Sequence, residues 1–398
     1  MSASRVIALS LVAAGLAGGA GAGEAAKPAP RKQARTSEQL AREAEAARGA
    51  GRLEDAVDLY RRALARRPDW VEGRWSVATL LYDLDRPAEA VPEFAKVIAA
   101  RPTDGLAVAL KALCDYKTKD YDEALAGLRK AHALGVPNPE VDQVAAFHAA
   151  LLLNRAGNPD AAFEILKRFA EKGRDDPAVI EAFGLFMLRM PRLPEEVPAD
   201  QREMVRLAGR GGYHMARGRR TAVGRLALEE LVSRYPAAPN VHYALGAYIS
   251  PDDPEGAMEE FRRELRSTPD HYPSLLQMAL IETQRGRASD ALPMAEQAAE
   301  LAPDVPAARL ALGRALLDLG QTDRAVQELE RGAGLAPESP DLQFALARAY
   351  QRAGRAAEAE RARQEFLRLD RARREPDPAA SPDAKPPESG TPEPGRPS

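Results

Sequence analysis

The sequence predicts an all-α protein, a right-handed α-solenoid or superhelix of about nine helix-turn-helix repeats. The first observation is an internal repeat: between Pro269 and Pro337, two consecutive stretches of thirty-four residues share one pattern, and each ends in Leu-Ala-Pro. The second is a glycine that interrupts each stretch and is followed five residues later by an alanine. The third is composition: 5% of the residues are aromatic and 45% are hydrophobic, so alanine and leucine supply most of the packing.

The same pattern extends over most of the chain, from about residue 37 to residue 370. In the first repeat, apolar residues at helical spacing precede Gly51, and a second apolar stripe with the same spacing follows it. A glycine between two such stripes indicates a tight turn between two short helices. The residues of the two stripes are Leu40, Ala44, Ala47, Ala56, Tyr60 and Ala63.

The residue types at fixed positions of these units resemble the tetratricopeptide repeat. That family keeps small residues at its eighth and twentieth positions, an aromatic residue or leucine at the twenty-fourth, and proline at the thirty-second. These positions hold Ala44, Ala56, Tyr60 and Pro68 in the first repeat, and Gly313, Ala325, Leu329 and Pro337 in the eighth. The resemblance implies close helix crossings at the small residues and a concave groove lined by the first helix of each pair.

The chain divides into six predicted segments. An insertion is predicted because Pro177 and Pro236 are too far apart for one repeat and because three prolines at 191–198 break the chain after a predicted helix at 178–190. Gly211-Gly212 is expected to weaken the first helix of the unit that follows. The last segment is too rich in proline and charge to bury a core. The segments are a signal peptide at 1–22, a linker at 23–36, an N-terminal array of repeats one to four at 37–177, an inserted helix and Pro-rich loop at 178–204, a C-terminal array of repeats five to nine with a capping helix at 205–370, and a disordered Pro-rich tail at 371–398.

The N-terminal residues have the features of a secretory signal. Arg5 precedes a short apolar run at 6–17, and small residues follow, with a predicted cut after Ala22. The run is shorter than a bilayer-spanning helix requires, and no cysteine follows it that could carry a bacterial lipid anchor. We therefore expect an exported protein, periplasmic or secreted, without an integral membrane span after cleavage. A signal that is retained as an anchor stays an open alternative.

Composition and motifs argue against several functional classes. A formal net charge of -3 gives no overall field that would attract nucleic acid. The single cysteine, Cys114, excludes an intramolecular disulfide framework, and its apolar neighbours predict a buried residue. The five histidines lack metal-binding spacing, and neither a nucleophile elbow nor a phosphate-binding loop occurs. We expect a protein that is not an enzyme and has no cofactor or metal.

The predicted binding residues follow from the resemblance, which implies that ligands contact the second, fifth, ninth, twelfth and thirteenth positions of the first helices. Aromatic residues and arginines at interfaces supply large contact areas and fixed hydrogen-bond donors. Alternatively, the same residues serve packing or form a solvated surface. The predicted partner-binding residues are Trp75, Tyr82, Tyr116, Phe147, Arg155, Tyr213, Arg217, Tyr243, Arg314 and Arg348, with Phe344 and Arg352 at further matching positions.

A second candidate surface consists of three arginines with a spacing of four, Arg202, Arg206 and Arg210. This spacing places three positive charges on one helical face, where they could bind an acidic segment or a phosphate-bearing polymer. A solvated helix face is the alternative. The Lys and Asn clamp of chaperone-binding repeats is not expected, because the corresponding positions hold Ala41, Glu45, Trp75 and Thr79.

These observations favour a non-catalytic scaffold of the cell envelope or the secreted space that binds an extended peptide or a partner protein in its groove. The alternative is a glycan-binding or polymer-binding accessory subunit of an envelope biosynthesis or secretion complex, in which groove aromatics would stack on sugars. Within the array, repeats two to five hold more aromatic and arginine residues at inner positions, whereas the later repeats have an aliphatic lining that includes Leu276, Leu280, Leu310 and Leu317. We therefore expect recognition in repeats two to five.

Overall fold

The computed structural model describes residues 35–218 and 221–374. Within these ranges the regular secondary structure is helical, as predicted, and the helices form the repeating pairs of an α-solenoid. The predicted signal peptide, nearly all of the linker and the tail beyond residue 374 lie outside the described residues. The first four residues assigned to the tail belong to the last helix, which continues to Arg374.

The chain divides into two compact units between Gly218 and Arg219. In the described part of the first unit, ten α-helices pack as five consecutive pairs, each helix against its successor. The helices are α1 (Ser37–Gly49), α2 (Leu53–Leu64), α3 (Val71–Asp83), α4 (Pro87–Ala100), α5 (Gly105–Lys117), α6 (Tyr121–Leu134), α7 (Pro139–Arg155), α8 (Pro159–Glu171), α9 (Pro177–Met187) and α10 (Arg202–Ala216).

In the described part of the second unit, one helix packs against the first of four further pairs. That leading helix is α11 (Ala222–Arg234). The pairs are α12 (Val241–Ile249) with α13 (Pro254–Ser267), α14 (Tyr272–Gln284) with α15 (Ala288–Leu301), α16 (Pro306–Asp318) with α17 (Thr322–Leu335), and α18 (Pro340–Arg352) with α19 (Ala356–Arg374). None of the helices described in the two units combines the length and the apolar character that a bilayer-spanning helix requires.

In the first three pairs and in the last three, a left-handed turn residue separates the two helices and recurs every thirty-four residues. It is Gly51 in the first pair and Gly286, Gly320 and Gly354 in the last three pairs, all with positive φ. In the second and third pairs the same position holds Asp85 and Lys119, with φ of 56° and 66°. The turn geometry is therefore kept where glycine is absent, although a side chain makes this conformation less favourable.

Small residues lie where the paired helices cross, as the repeat pattern predicts. Ala44 and Ala56 are fully buried beside Tyr60 in the first pair. In the eighth pair, a Cβ atom on Gly313 would lie 2.4 Å from Cγ of Leu329. The large residue of the second helix therefore fills the space that the small residue leaves open.

The helices at the predicted insertion pair differently from the sequence-based assignment. The helix from 205 onward was expected to open the next repeat, but α10 packs against α9, and a loop at 188–201 joins them. Glycine is the reason: a Cβ on Gly184 or on Gly209 would lie 1.9 Å from the carbonyl oxygen of Val205 or of Ile180, respectively. Of the two glycines expected to weaken α10, Gly212 also lies against α9, where a Cβ would be 2.7 Å from Cγ of Met187.

Candidate functional site

The first helices of the pairs in each unit form what we call its first-helix layer, and neighbouring members of the layer contact one another over part of its length. In the first unit the contacts run from α5 to α7 and from α7 to α9, and in the second unit from α12 through α14 and α16 to α18. Residues on these helices can form one continuous surface within each unit. The predicted binding residues were assigned to such surfaces.

An aromatic row crosses the first-helix layer of the first unit. It consists of aromatic side chains on α5, α6, α7 and α8 whose rings contact one another in sequence. The ring of Tyr116 lies 5.7 Å from that of Tyr121 and 4.6 Å from that of His148. Phe147 lies 5.8 Å from both His148 and Phe169. Most of these ring contacts are edge-on, which is one of the arrangements that aromatic pairs prefer.

Arg155, in the last turn of α7, adds a positive charge at the end of this row. Its guanidinium carbon lies 4.5 Å from the ring centroid of Tyr121. A guanidinium over an aromatic face is held in one orientation by electrostatic attraction. The side chain nevertheless stays partly accessible, with 38% of its surface exposed.

The loop between α9 and α10 lies against this row, and we call its residues 188–198 the strap. The Tyr116 hydroxyl donates a hydrogen bond to Oε1 of Glu195 at 3.1 Å. Nε of Arg155 lies 3.3 Å from Oε1 of Glu196. The Asn154 side-chain amide donates to the carbonyl oxygen of Met190 at 2.7 Å.

Apolar residues anchor the strap. Leu193 is 0% exposed and belongs to the core of the first unit. Leu188 and Val197 are also buried. A single-turn 3-10 helix at Pro194–Glu196 presents the two glutamates, and the Leu193 N–H donates to Oε2 of Glu196 at 2.8 Å. The backbone of the strap is thus fixed while its carboxylates lie at the surface.

Burial shifts several ionisable groups of this region. Burial, and then Glu195, raise the pKa of the Tyr116 hydroxyl, which therefore stays a donor. Burial lowers the pKa of His148, whose Nδ1 lies 2.8 Å from the carbonyl oxygen of Val144. Burial also raises the pKa of Asp83, at the end of α3, to about 6. The pKa of Cys114 is raised to about 12 by burial, so its thiol is protonated, and it is buried as expected.

Two predicted residues lie on α3 with unequal exposure. Trp75 is half-buried and packs edge-on against Phe94, with 5.9 Å between ring centroids. Tyr82 is 5% exposed and lies under the ammonium of Lys117 at 5.3 Å. Trp75 thus offers part of its ring to a ligand, whereas Tyr82 is mainly a packing residue.

Tyr213 is on α10 and Arg217 directly follows this helix, so both lie outside the first-helix layer. Tyr213 is buried, with its ring 6.1 Å from that of Phe183 on α9. Arg217 donates to the Tyr213 hydroxyl at 2.9 Å and to the carbonyl oxygen of Ala170 at 3.2 Å. The structure does not bring this pair together with the aromatic row, because α10 is the second helix of its pair.

The predicted residues of the second unit have partners within the protein. Tyr243 packs against Phe261 and His271. Arg314 on α16 lies 3.5 Å from Asp341 on α18, and Arg348 on α18 lies 4.0 Å from Asp318 on α16. Arg352 donates to the carbonyl oxygen of Leu317, and Phe344, 45% exposed, packs against Phe366.

The three arginines of the second candidate surface are all exposed on α10. Arg206 forms an ion pair with Glu203 one turn earlier, at 3.0 Å. The spacing therefore gives one exposed positive face, as predicted, and whether it binds an anion stays a prediction. Within the described ranges no group of three His, Cys, Asp or Glu side chains could hold a metal ion.

Sequence reasoning missed His148, Tyr121 and the strap. His148 appeared as one of five scattered histidines, although it follows Phe147 directly in α7. The strap was assigned to an inserted Pro-rich loop, and no contacts were predicted for it. Its signal lay in two apolar residues, Leu193 and Val197, which flank the paired acids four residues apart and which a solvated loop would not require.

Comparisons with known proteins agree with the repeat geometry. Two models of the tetratricopeptide repeat match, one at residues 282–334 and the other at residues 41–105 and 76–139. A stretch of 72 residues is 39% identical to the Protein CTR9 homolog of Arabidopsis thaliana, and the match spans 18% of this chain and 7% of that protein.

Solved structures of MamA are also similar to part of the chain. MamA from Desulfovibrio magneticus RS-1 is 18% identical, covers 44% of this chain and 98% of its own, and superposes with a TM-score of 0.39. MamA AMB-1 is 26% identical, covers 42% of this chain and 98% of its own, and has a TM-score of 0.36. The matched repeats, their thirty-four-residue register and the nine helix pairs of the described residues show that the chain contains tetratricopeptide repeats in both units.

Proposed function

We propose that the protein is a non-catalytic scaffold of the cell envelope or the secreted space, and that it binds an extended peptide or a partner protein on the first-helix layer of its first unit. The observation that carries this proposal is the aromatic row with Arg155 at its end. Aromatic rings and a guanidinium that are partly exposed and held by their neighbours bind with little loss of side-chain entropy.

The same surface gives less support to glycan binding. A sugar-stacking platform needs an open aromatic face, whereas Tyr82 is buried and Trp75 contacts Phe94 with its ring. The half-buried rings of Tyr116 and Phe147 are edge-on to their neighbours. A groove lined by edge-on, half-buried rings can accept the side chains of a bound peptide between those rings.

The location outside the cytoplasm rests on the sequence of residues 1–22. Mass measurement of the mature chain from fractionated native cells tests it. The proposal expects a chain that begins after Ala22 in the periplasmic or culture fraction. Recovery of the uncleaved chain in the cytoplasmic fraction alone would overturn this part.

Site-specific photocrosslinking tests the binding surface. Benzoylphenylalanine in place of Trp75 should give a discrete crosslinked partner in native cells. Replacing Trp70 provides the control, because this residue is also half-buried but packs against Tyr60 at the start of α3. Discrete adducts at position 75 and none at position 70 support the proposal. Equal labelling at both positions, or none at either, would contradict it.

A further inference from the structure

Two carboxylates of the strap lie against Tyr116 in the aromatic row and against Arg155. From this geometry we propose that the Tyr116–Arg155 site binds a partner segment with two adjacent acidic side chains, and that Glu195 and Glu196 are its intramolecular substitutes. The inference rests on the proposed function and names the chemical class of the ligand. It follows from what the site already binds: one carboxylate on a phenolic hydroxyl and the next on a guanidinium.

The site is built for anions. The Tyr116 hydroxyl can donate one hydrogen bond, and the guanidinium of Arg155 can donate several in a planar fork that matches a carboxylate. Tyr121 holds that guanidinium from one side. Lys117 follows Tyr116 directly, although its ammonium is paired with Asp85 at 2.5 Å. A basic segment would meet Arg155 as a like charge.

The contacts between the strap and the site can be exchanged. Arg155 and Glu196 retain 38% and 33% of their side-chain surface, so water and salt screen their attraction. The hydrogen bond between Tyr116 and Glu195 is also exposed. A carboxylate of a partner can take the place of each strap carboxylate and form the same kind of contact. The free energy of this exchange is therefore close to zero before the partner's other contacts are counted.

The strap itself need not leave when this exchange occurs. Leu193 and Val197 hold its backbone in the core, and the Asn154 amide holds Met190. Rotation of the Glu195 and Glu196 side chains is enough to open the two donors. The free protein therefore contains a weak internal competitor, and removing its charges should strengthen binding.

Peptide binding to the full chain tests this inference by fluorescence anisotropy. The probe is a labelled peptide that carries residues 194–198 between glycine spacers, and its control has glutamine in place of both glutamates. The double variant Glu195→Gln/Glu196→Gln should bind the acidic probe about five- to tenfold tighter than the wild type does. It should bind the control peptide at least about tenfold more weakly than the acidic probe. Adding Arg155→Gln should remove the gain.

Equal affinity for the two peptides, or a gain that survives Arg155→Gln, would overturn the inference. Glutamine at position 196 keeps an oxygen for the Leu193 N–H, so the fold should persist, and circular dichroism checks this. If the double variant does not fold, Glu195→Gln alone should show a smaller gain, because the Glu195 carboxylate accepts from Tyr116.

An array of acidic, neutral and basic peptides on the wild type separates the two proposals. Capture of neutral or basic peptides that Trp75→Ala abolishes would leave the scaffold function intact and refute the acidic ligand. Absence of binding to every class, together with no crosslink at position 75, would refute the scaffold function itself. Preferred capture of acidic peptides supports both.

Discussion

The first-helix layers of the two units are built from the same helix pairs but have different side chains and contacts. In the first unit, the first-helix layer has an aromatic row and one stacked arginine, and the strap lies across them. In the second unit, the arginines of the layer form ion pairs between α16 and α18, and buried polar groups join neighbouring helices. Under the proposed function, equivalent repeat positions serve recognition in the first unit and cohesion in the second.

The difference also appears in how helices approach each other. In the first unit, α9 and α10 cross through Gly184 and Gly209, where backbone faces backbone. In the second unit, Gly313 faces the side chain of Leu329. A side chain can rotate out of the way, whereas a helix backbone cannot. A glycine-to-alanine substitution should therefore be more destabilising at the crossing in the first unit than at the one in the second.

The largest expected effect is that of Gly184→Ala. The added methyl would lie 1.9 Å from the carbonyl oxygen of Val205, so α9 and α10 must separate, and we expect a loss of about 3 kcal/mol in the free energy of unfolding. Gly313→Ala is the matched control and should cost about 1 kcal/mol, because Leu329 can move. Urea unfolding followed by circular dichroism measures both. Equal losses would contradict the contrast between the units.

A smaller effect is expected for the buried carboxylate of the second unit. Glu264, 1% exposed, accepts from the backbone N–H of Asn240 at 2.8 Å and of Tyr243 at 3.1 Å. Glu264→Ala leaves both donors without this acceptor and should cost about 2 kcal/mol. Glu264→Gln retains one oxygen and should cost less. The same unfolding assay distinguishes them, and identical values for the two variants would show that the hydrogen bonds contribute little.

The third prediction concerns pH and the aromatic row. Burial lowers the pKa of His148 in the folded chain, whereas in the unfolded chain it titrates near its ordinary value of about 6.5. Below that value the unfolded chain binds a proton that the folded chain does not, so stability falls as the pH decreases from about 7 through about 6.5 towards the folded pKa. His148→Gln should remove this contribution.

The comparison must be made between wild type and His148→Gln at each pH. Asp83 contributes with the opposite sign, because its pKa is raised to about 6 and the folded chain takes up its proton first as the pH decreases. Both proteins contain Asp83, so its contribution cancels in the difference. A difference in unfolding free energy that stays constant between pH 8 and pH 5 would contradict a lowered pKa of His148 in the folded chain.

The smallest effect is expected for the arginines between α16 and α18. The Arg314 pair with Asp341 is largely exposed, and we expect Arg314→Ala to change stability by about 0.5 kcal/mol and to leave peptide binding unchanged. Arg155→Gln should reduce binding at similar stability. Calorimetric titration with the acidic probe checks this pair of variants. Loss of binding in Arg314→Ala would extend recognition to the second unit.

Most of the fold could be predicted because its signals are local and repeated. Ala44, Ala56 and Tyr60 recur as residue types at fixed spacing, and their burial follows from the helix crossing itself. Turns were predicted where a glycine occurs. The left-handed conformation of Asp85 and Lys119 was not predicted, because these residue types do not indicate a positive φ.

The candidate site could be predicted only in part. Trp75, Tyr116, Phe147 and Arg155 were found because the repeat register assigns them to first helices. Tyr213 and Arg217 were assigned by the same register, but the close α9–α10 crossing shifts the pairing there. The strap depends on contacts between Glu195 and Tyr116, seventy-nine residues apart, which no local periodicity encodes.

The recurring left-handed turn has a consequence for changes in chain length. Gly51, Asp85 and Lys119 occupy equivalent points, as do Gly286, Gly320 and Gly354. A cut at two such points removes the second helix of one pair together with the first helix of the next, and the surviving ends meet in the geometry that they already had. The natural module for deletion, duplication or exchange in this protein is therefore the block from turn to turn, and the boundaries of helix pairs need not be respected.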